Sequence, residues 1–567
     1  MKEQPAIVNT LDPSRVVKLL IWDLDETFWD GTLTEEGISY RKENIQLVKQ
    51  LADRGIVSSI CSKNDFTVAK AALECAGVWE LIVFPTIHWG PKGTAIKNLI
   101  ARANLRSENV LFVDDNLANL EEAMFFSPGL MCMSESRELR YYLNEPCFRG
   151  RPDPSRSRLA SYKVIEERTD AKQSLAVSNL DFLRQSRIQV EISYDVEDHW
   201  DRVIELLNRA NQLNYTKKRV ETDVALRKLS QQLTAFGFKA GVVRVRDRYG
   251  DYGIAGFFLT LATLLGYELK QFVFSCRVLN MGVEQYVYEL LNEPDLQVVP
   301  PVANPVKTFE RVDWINQSTN QEPLNQLRSL RLVLVGGCDM LQVSSYCSSE
   351  SIEFTNRPFG EMMTRFDEVS FLTGDVEQLA GSKLREKIPV CNADDIRNFH
   401  QALQTTDGVV LALYQLTTPS YFRGKDGVEV RLHPASLRKL LASENGIWFV
   451  RHFWFLDLKL DQRLQRVRNC INSVLDKTDN STPITLVGER VSPQFDSERD
   501  AERKQRYNQF IQSLAHGTDR LTWIDPNEFV PDQWVIDGAH YHRQAYLEIA
   551  ERLLHAETES LPKGFRS

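Results

Sequence analysis

The chain has 567 residues, 43% of them hydrophobic and 26% charged, with a formal net charge of −9 and a pI near 5.7. That composition is ordinary for a globular protein of about three domains, since single cores seldom grow beyond ~250 residues. The acidic balance argues against nucleic acid or an anionic membrane as the main partner, and nine cysteines without a Cys-x-x-Cys pair indicate neither a disulfide framework nor a structural zinc site.

The start, Met1-Lys-Glu-Gln-Pro-Ala-Ile, lacks a signal-peptide pattern, so a cytoplasmic location is expected. Val17-Lys-Leu-Leu-Ile-Trp-Asp23-Leu-Asp25-Glu-Thr27 is an apolar run bounded by polar residues, which predicts a buried parallel strand opening on a crevice. Two aspartates one residue apart point in different directions, so one can attack phosphorus while its neighbour handles the leaving-group proton. Magnesium would screen carboxylates and phosphate. Little sequence separates Thr27 from the helix predicted near Glu43, so a large cap over the crevice is not expected.

Glu43 to Asp53 and Thr67 to Cys75 carry helical periodicity and stop before Gly55 and Gly77. Between them lies a second apolar strand, Gly55 to Cys61, ending in Ser62, a hydroxyl suited to a phosphate oxygen. Lys92 opens a helical pattern and brings an ammonium, and Val110-Leu-Phe-Val-Asp114-Asp115 is a third strand ending in paired acids. This alternation predicts a parallel, doubly wound sheet over residues 1–150. A Pro-, Arg- and Ser-rich stretch from Asn144 to Ser157 marks a boundary, and Ala160 to Gln185 reads as a charged helical piece.

The next unit, 151–325, has a helix from Val203 to Thr216 and two strands flanking the Gly- and Asp-rich turn Asp247 to Gly253. Its longest apolar stretch, Ile254 to Tyr267, is too short to span a bilayer. Gln271-Phe-Val-Phe-Ser-Cys276-Arg277 is a strand passing into a helix. The last unit, 326–567, opens with the strand Leu330 to Val335 and the turn Gly336-Gly337-Cys338; it has a core strand from Gly408 and ends near Asp537-Gly-Ala-His540-Tyr-His542. His452 is expected in the core, whereas His542 suits either an active site or a surface.

The four strand-end groups resemble those of the haloacid dehalogenase superfamily. The resemblance implies Asp23 as the phosphate-accepting nucleophile and Asp25 as general acid/base. It also implies Thr27, Ser62 and Lys92 at the phosphate, and Asp114 and Asp115 completing a magnesium site with Asp23, with Asp25 counted among the acids around the ion. Residues 151–325 look like an acyltransferase of the GNAT type. Leu-Asp-Glu-Thr with Trp29, Cys-Ser-Lys-Asn-Asp, Phe-Val-Asp-Asp-Asn, Asn-Arg-Ala-Asn-Gln-Leu-Asn, Asp-Arg-Tyr-Gly-Asp-Tyr-Gly and Ser-Cys-Arg-Val, over residues 15 to 316, resemble FkbH-like proteins. Those take D-1,3-bisphosphoglycerate, remove phosphate and leave glycerate as a thioester on the phosphopantetheine arm of an acyl carrier protein. Cys276 and Cys61 are both candidates for the acyl relay; Cys276 is favoured beside Arg277, while Cys61 packs behind Ser62. The chain departs from the family at Asn280-Met281-Gly282, where Gly-Arg-Gly is usual.

Cys338 after a first strand and the late Asp537-x-x-His540 resemble the SGNH/GDSL hydrolases, with Cys338 in place of serine, His540 as its base and Asp537 orienting the histidine. Gln415 and the turn at Cys338 are candidate oxyanion donors; a degenerate binding domain is the alternative. The expected whole is a multidomain α/β enzyme that loads a glyceryl group and then transfers or hydrolyses it. Its rivals are a plain magnesium phosphatase and a carrier-docking scaffold with idle sites.

Overall fold

The computed structural model describes residues 9–34, 37–174, 178–263, 266–317, 329–348, 350–374, 376 and 384–560. The first sheet starts from β1 (Leu19–Trp22), whose four apolar side chains are all fully buried, as a strand covered on both faces requires. It is followed by α1 (Lys42–Asp53), β2 (Val57–Ser62), α2 (Phe66–Cys75), β3 (Thr86–Ile87), α3 (Lys92–Arg102), β4 (Val110–Val113), α4 (Leu117–Phe126) and β5 (Met131–Met133). The strands run β3-β2-β1-β4-β5, every pair parallel. Asp65 and Asn116 cap α2 and α4 by accepting backbone N–H bonds. Between β1 and α1 lies a short hairpin, Trp29–Asp30 with Ser39–Tyr40.

The Pro- and Arg-rich connection is pinned to the end of α1: Arg151 N donates to Arg54 O at 2.9 Å and Asp153 N to Asp53 O at 2.7 Å. The helical piece expected from Ala160 is two helices, α5 (Ser157–Ser174) and Asn179–Gln185, the second capped by Ser178. A mostly antiparallel sheet follows, with β6 (Ile188–Ser193), α6 (Trp200–Arg209), β7 (Leu213–Asn214), β8 (Phe238–Asp247), β9 (Gly250–Thr263), β10 (Gly266–Phe274), α7 (Val283–Leu290) and β11 (Ile315–Gln317). Its order is β11-β6-β8-β9-β10-β7. The helix predicted to Thr216 stops at Arg209, because Leu213 and Asn214 pair with β10 instead and the Asn214 side chain bonds Leu207 O and Lys217 N.

The third sheet is parallel, ordered β13-β12-β14-β15-β16: β12 (Leu332–Val335), α8 (Cys338–Ser344), β13 (Ile352–Phe354), β14 (Gly408–Leu411), β15 (Ile484–Val487), β16 (Leu521–Ile524) and α9 (Arg543–Ser560). One apolar cluster runs through all three sheets. Between the second and third sheets, Tyr267 Oη donates to Leu341 O at 2.7 Å and Tyr194 packs on Tyr346. No helix among the described residues is long and apolar enough to cross a membrane, and Ile254 to Thr263 lies in β9.

Candidate functional sites

The C-terminal ends of β1, β2 and β4 meet over the N-terminus of α3. Lys92 Nζ stands 2.6 Å from Asp23 Oδ1 and 2.6 Å from Asp114 Oδ2, with all three residues buried. Asp23, Asp114 and Asp115 each present an oxygen within 4.8 Å of the others. Asn119 Nδ2 donates to both oxygens of Asp114 at 3.1 Å, and Asn116 N donates to Oδ1. Three carboxylates thus cluster around one ammonium that pairs with two of them. Burial, with Asp114 nearby and against the pull of Lys92, pushes the Asp23 carboxyl up to about 6, and burial plus Asp114 raises Asp115. Burial opposes charge on Lys92, but Asp23 and Asp114 outweigh it and raise its pKa. Uncompensated negative charge presented on oxygen ligands fits a hard divalent cation such as magnesium.

Asp25 stands apart from this cluster, correcting its expected place among the metal acids. Its Oδ1 accepts from Trp29 Nε1 at 2.9 Å and Leu33 N at 3.1 Å, and its Oδ2 accepts from Asn64 Nδ2 at 3.0 Å. The same Asn64 amide donates to Ser62 Oγ at 3.2 Å, tying acid and hydroxyl together. Thr27 also differs from expectation: its hydroxyl accepts from Asp115 N at 3.0 Å and donates to Asp115 Oδ1 at 3.3 Å, so it orients an acid. Asn64, buried two residues beyond Ser62, was not singled out in the sequence; its place in the Ser-Lys-Asn-Asp run was the available signal.

Cys276 lies elsewhere. It follows β10 and lines a cavity of about 820 Å³ between the first two units. The first sheet contributes Lys18, Gly55 and Asn109, which precede β1, β2 and β4; the carboxylates follow those strands. Asn104 Nδ2, past the end of α3, donates to Cys276 O at 3.2 Å. Seven lysine and arginine side chains line this space against three carboxylates. Burial and Arg158 push the Lys18 ammonium down to about 8, and burial with Arg202 and Arg158 brings Arg277 to about 9. Cys61 is buried in the first unit, where burial pushes its thiol up to about 12 despite Lys92.

In the third unit Cys338 Sγ is 3.2 Å from His540 Nε2, and His540 Nδ1 is 2.9 Å from Asp537 Oδ2. Gly336 permits the tight turn before the thiol, since a Cβ there would stand 2.4 Å from Met340 Cγ and 3.0 Å from Ala412 Cβ. Burial, then Asp339, pushes the Cys338 thiol up to about 12, against Arg365. Burial would raise Asp537, but hydrogen bonds from His540 and Ala539 N hold it below the usual range. Phe236, from the middle unit, packs on the His540 ring at 4.2 Å. Arg365, unanticipated in the sequence, is fixed by two 2.8 Å bonds to Asp367. Its Nη2 lies 3.1 Å from where a Cβ on Gly337 would stand. His542 is buried outside this triad and His452 stacks on Trp448 at 4.8 Å.

No family model matches the chain, and no curated protein matches it. Among solved structures it is similar to the N-terminal part of protein BF1531 from Bacteroides fragilis, which contains a phosphatase domain and is complexed with Mg. That match has 25% identity over 23% of this chain and 40% of the other, with a TM-score of 0.20. The cobalt-bound deoxy-D-mannose-octulosonate 8-phosphate phosphatase YrbI of Haemophilus influenzae is similar at 21% identity, over 21% of this chain and 68% of that one, with a TM-score of 0.18. The hypothetical protein XCC2798 of Xanthomonas campestris is similar at 19% identity, over 31% and 97%, with a TM-score of 0.19. Likeness of that extent leaves the chemistry to be read from the side chains.

Proposed function

We propose that this chain is a magnesium-dependent phosphatase of the haloacid dehalogenase kind joined to an acyl-transfer function. The observation that carries this is the convergence of Asp23, Lys92, Asp114 and Asp115 at the C-terminal ends of one parallel sheet. Asp23 attacks phosphorus; an Asp–phosphate bond forms as the substrate P–O bond breaks. Asp25 gives the leaving oxygen its proton, then takes one from the water that releases phosphate. Ser62 and Lys92 hold phosphoryl oxygens, and Asn64 keeps Asp25 and Ser62 in register. Asp23, Asp114 and Asp115 would hold magnesium, which when bound supplies charge neutralisation at carboxylates and phosphate.

The finer reading follows the FkbH-like motifs. The substrate is D-1,3-bisphosphoglycerate, Cys276 takes the acyl group, and a cytoplasmic acyl carrier protein receives it as a thioester. Residues 1–150, 151–325 and 326–567 form haloacid-dehalogenase-like, GNAT-like and SGNH-like domains. In the last of these His540, oriented by Asp537, takes the proton of Cys338 as the thiol accepts the acyl group for transfer or hydrolysis. The test measures phosphate release from D-1,3-bisphosphoglycerate with magnesium, together with intact mass of the enzyme and a candidate carrier. Loss of release in Asp23→Asn and an acyl adduct in the wild type are expected. Release without any adduct leaves a plain phosphatase, a reading favoured by the distance between Cys276 and Asp23; no release at all removes both.

A further inference from the structure

A thiol that accepts an acyl group handles negative charge twice, first on sulfur as its base removes the proton and then on the carbonyl oxygen that sulfur attacks. His540 and Asp537 serve the proton. Neither receives the charge. Arg365 stands beside the turn that presents Cys338: it follows the hairpin of Arg357–Phe359 with Met362–Thr364, and its Nη2 lies 3.1 Å from the place of a Cβ on Gly337, the residue directly before the thiol. Only the missing side chain at Gly337 lets a guanidinium come this close to the turn.

The guanidinium is both fixed and charged. Its Nε and Nη2 donate to the two oxygens of Asp367 at 2.8 Å each, and no bond to a described residue uses Nη1. Burial opposes its charge, but Asp367 and Glu368 outweigh it and raise its pKa. A closed structural pair would end there, yet Asp367 also has Arg431 at 3.6 Å, and Arg431 stands 3.1 Å from Glu368. Burial pushes the Glu368 carboxyl up to about 8 against Arg431, and burial raises Asp339, which accepts from Tyr414 Oη. Two guanidinium groups thus face Asp367 and two acids driven towards their neutral forms. Positive charge is left in excess next to the thiol, where Arg365 draws the Cys338 pKa down against burial and Asp339.

We propose that Arg365 is a catalytic residue of the Cys338 site, the group that holds the negative charge of acyl transfer. The inference rests on the reading above that Cys338 accepts an acyl group. His540 Nε2 takes the Sγ proton and the sulfur attacks the carbonyl carbon of an acyl thioester; the new C–S bond forms as the carbonyl π pair moves onto oxygen, where the guanidinium offsets it. Collapse of that oxyanion breaks the bond to the departing sulfur, and His540 returns the proton to the departing thiolate. The acyl group stays on Cys338 as a thioester. Asp367, fully buried, is a positioning residue that keeps the guanidinium from turning.

The experiment uses the full chain at neutral pH and compares two reactions of Cys338, each followed by the mass of its peptide. Acetylation by the acetyl thioester of N-acetylcysteamine passes through an oxyanion; alkylation by iodoacetamide does not. Arg365→Met is expected to slow acetylation by about 10²-fold or more and alkylation by only about tenfold. Arg365→Lys, which keeps the charge and loses the paired bonds, is expected to recover part of both losses, and it carries the same comparison if removing the charge prevents folding. Equal losses in the two reactions overturn the proposal, as do unchanged rates in Arg365→Met or an Arg365→Lys no better than it. Wild-type Cys338 that is alkylated but never acetylated overturns the acyl-accepting reading itself, and the oxyanion role with it.

Discussion

The two ends of the first sheet carry opposite charge. At the C-terminal end three carboxylates cluster with Lys92, which pairs with two of them; at the N-terminal end seven cations face three acids around one thiol. A protein with a formal charge of −9 thus keeps a cationic pocket on one edge of a sheet whose other edge repels anions until a cation is bound. The difference keeps a cation-binding cluster of carboxylates and an anion-favouring cavity apart on one sheet.

The sharpest way to break that division is Asp23→Asn, expected to lower phosphate release on the order of 10³-fold or more, measured by continuous phosphate detection, while Cys276 alkylation stays unchanged. Next in size is the third unit: His540→Ala is expected to slow iodoacetamide labelling of Cys338 at neutral pH by about 10²-fold. Without its base the thiol, pushed up to about 12, gains reactivity only towards strongly alkaline pH; equal labelling rates remove His540 as base. Asn64→Ala is expected to cost about tenfold in kcat with KM little changed, because Asp25 and Ser62 lose their shared tie. A KM effect alone would make Asn64 a binding group.

Stability gives a smaller and metal-free reading. Because the folded Asp23 carboxyl is raised to about 6, the stability linked to its protonated form is complete below the ordinary carboxylate range and lost as pH rises through about 6. In chelator, Asp23→Asn is therefore expected to unfold later than wild type at pH 8, by on the order of 2 kcal/mol, and to show little gain at pH 4. Magnesium should shrink the difference by stabilising wild type.

Much of this was legible in the chain. Leu19 to Trp22 reads as a strand because nothing polar interrupts it, and its carboxylates fall where a parallel sheet opens. Cys338 and His540, 202 residues apart, were paired by resemblance and stand in contact. The cationic cavity was legible only at Arg277, beside Cys276: Lys18, Arg106 and Arg158 come from distant segments and nothing in their own windows joins them to it. Arg365 was hidden for the same reason. The helix to Thr216 failed because a 3.6-residue pattern ran into asparagines whose side chains bind backbone better outside a helix. The resemblance supplies roles for Asp25 and Thr27 but not their partners, which are set by the turn: Asp25 accepts from Trp29 and Thr27 bonds Asp115.

Phe236 gives the boundary near residue 326 a meaning of its own. The ring against which His540 rests belongs to the preceding unit, so the histidine's alignment is divided between Asp537 of its own fold and a neighbour's side chain. Severing the chain between the second and third sheets would leave Cys338, His540 and Asp537 in place along the sequence, with the imidazole held by its carboxylate alone and no ring packed on its face.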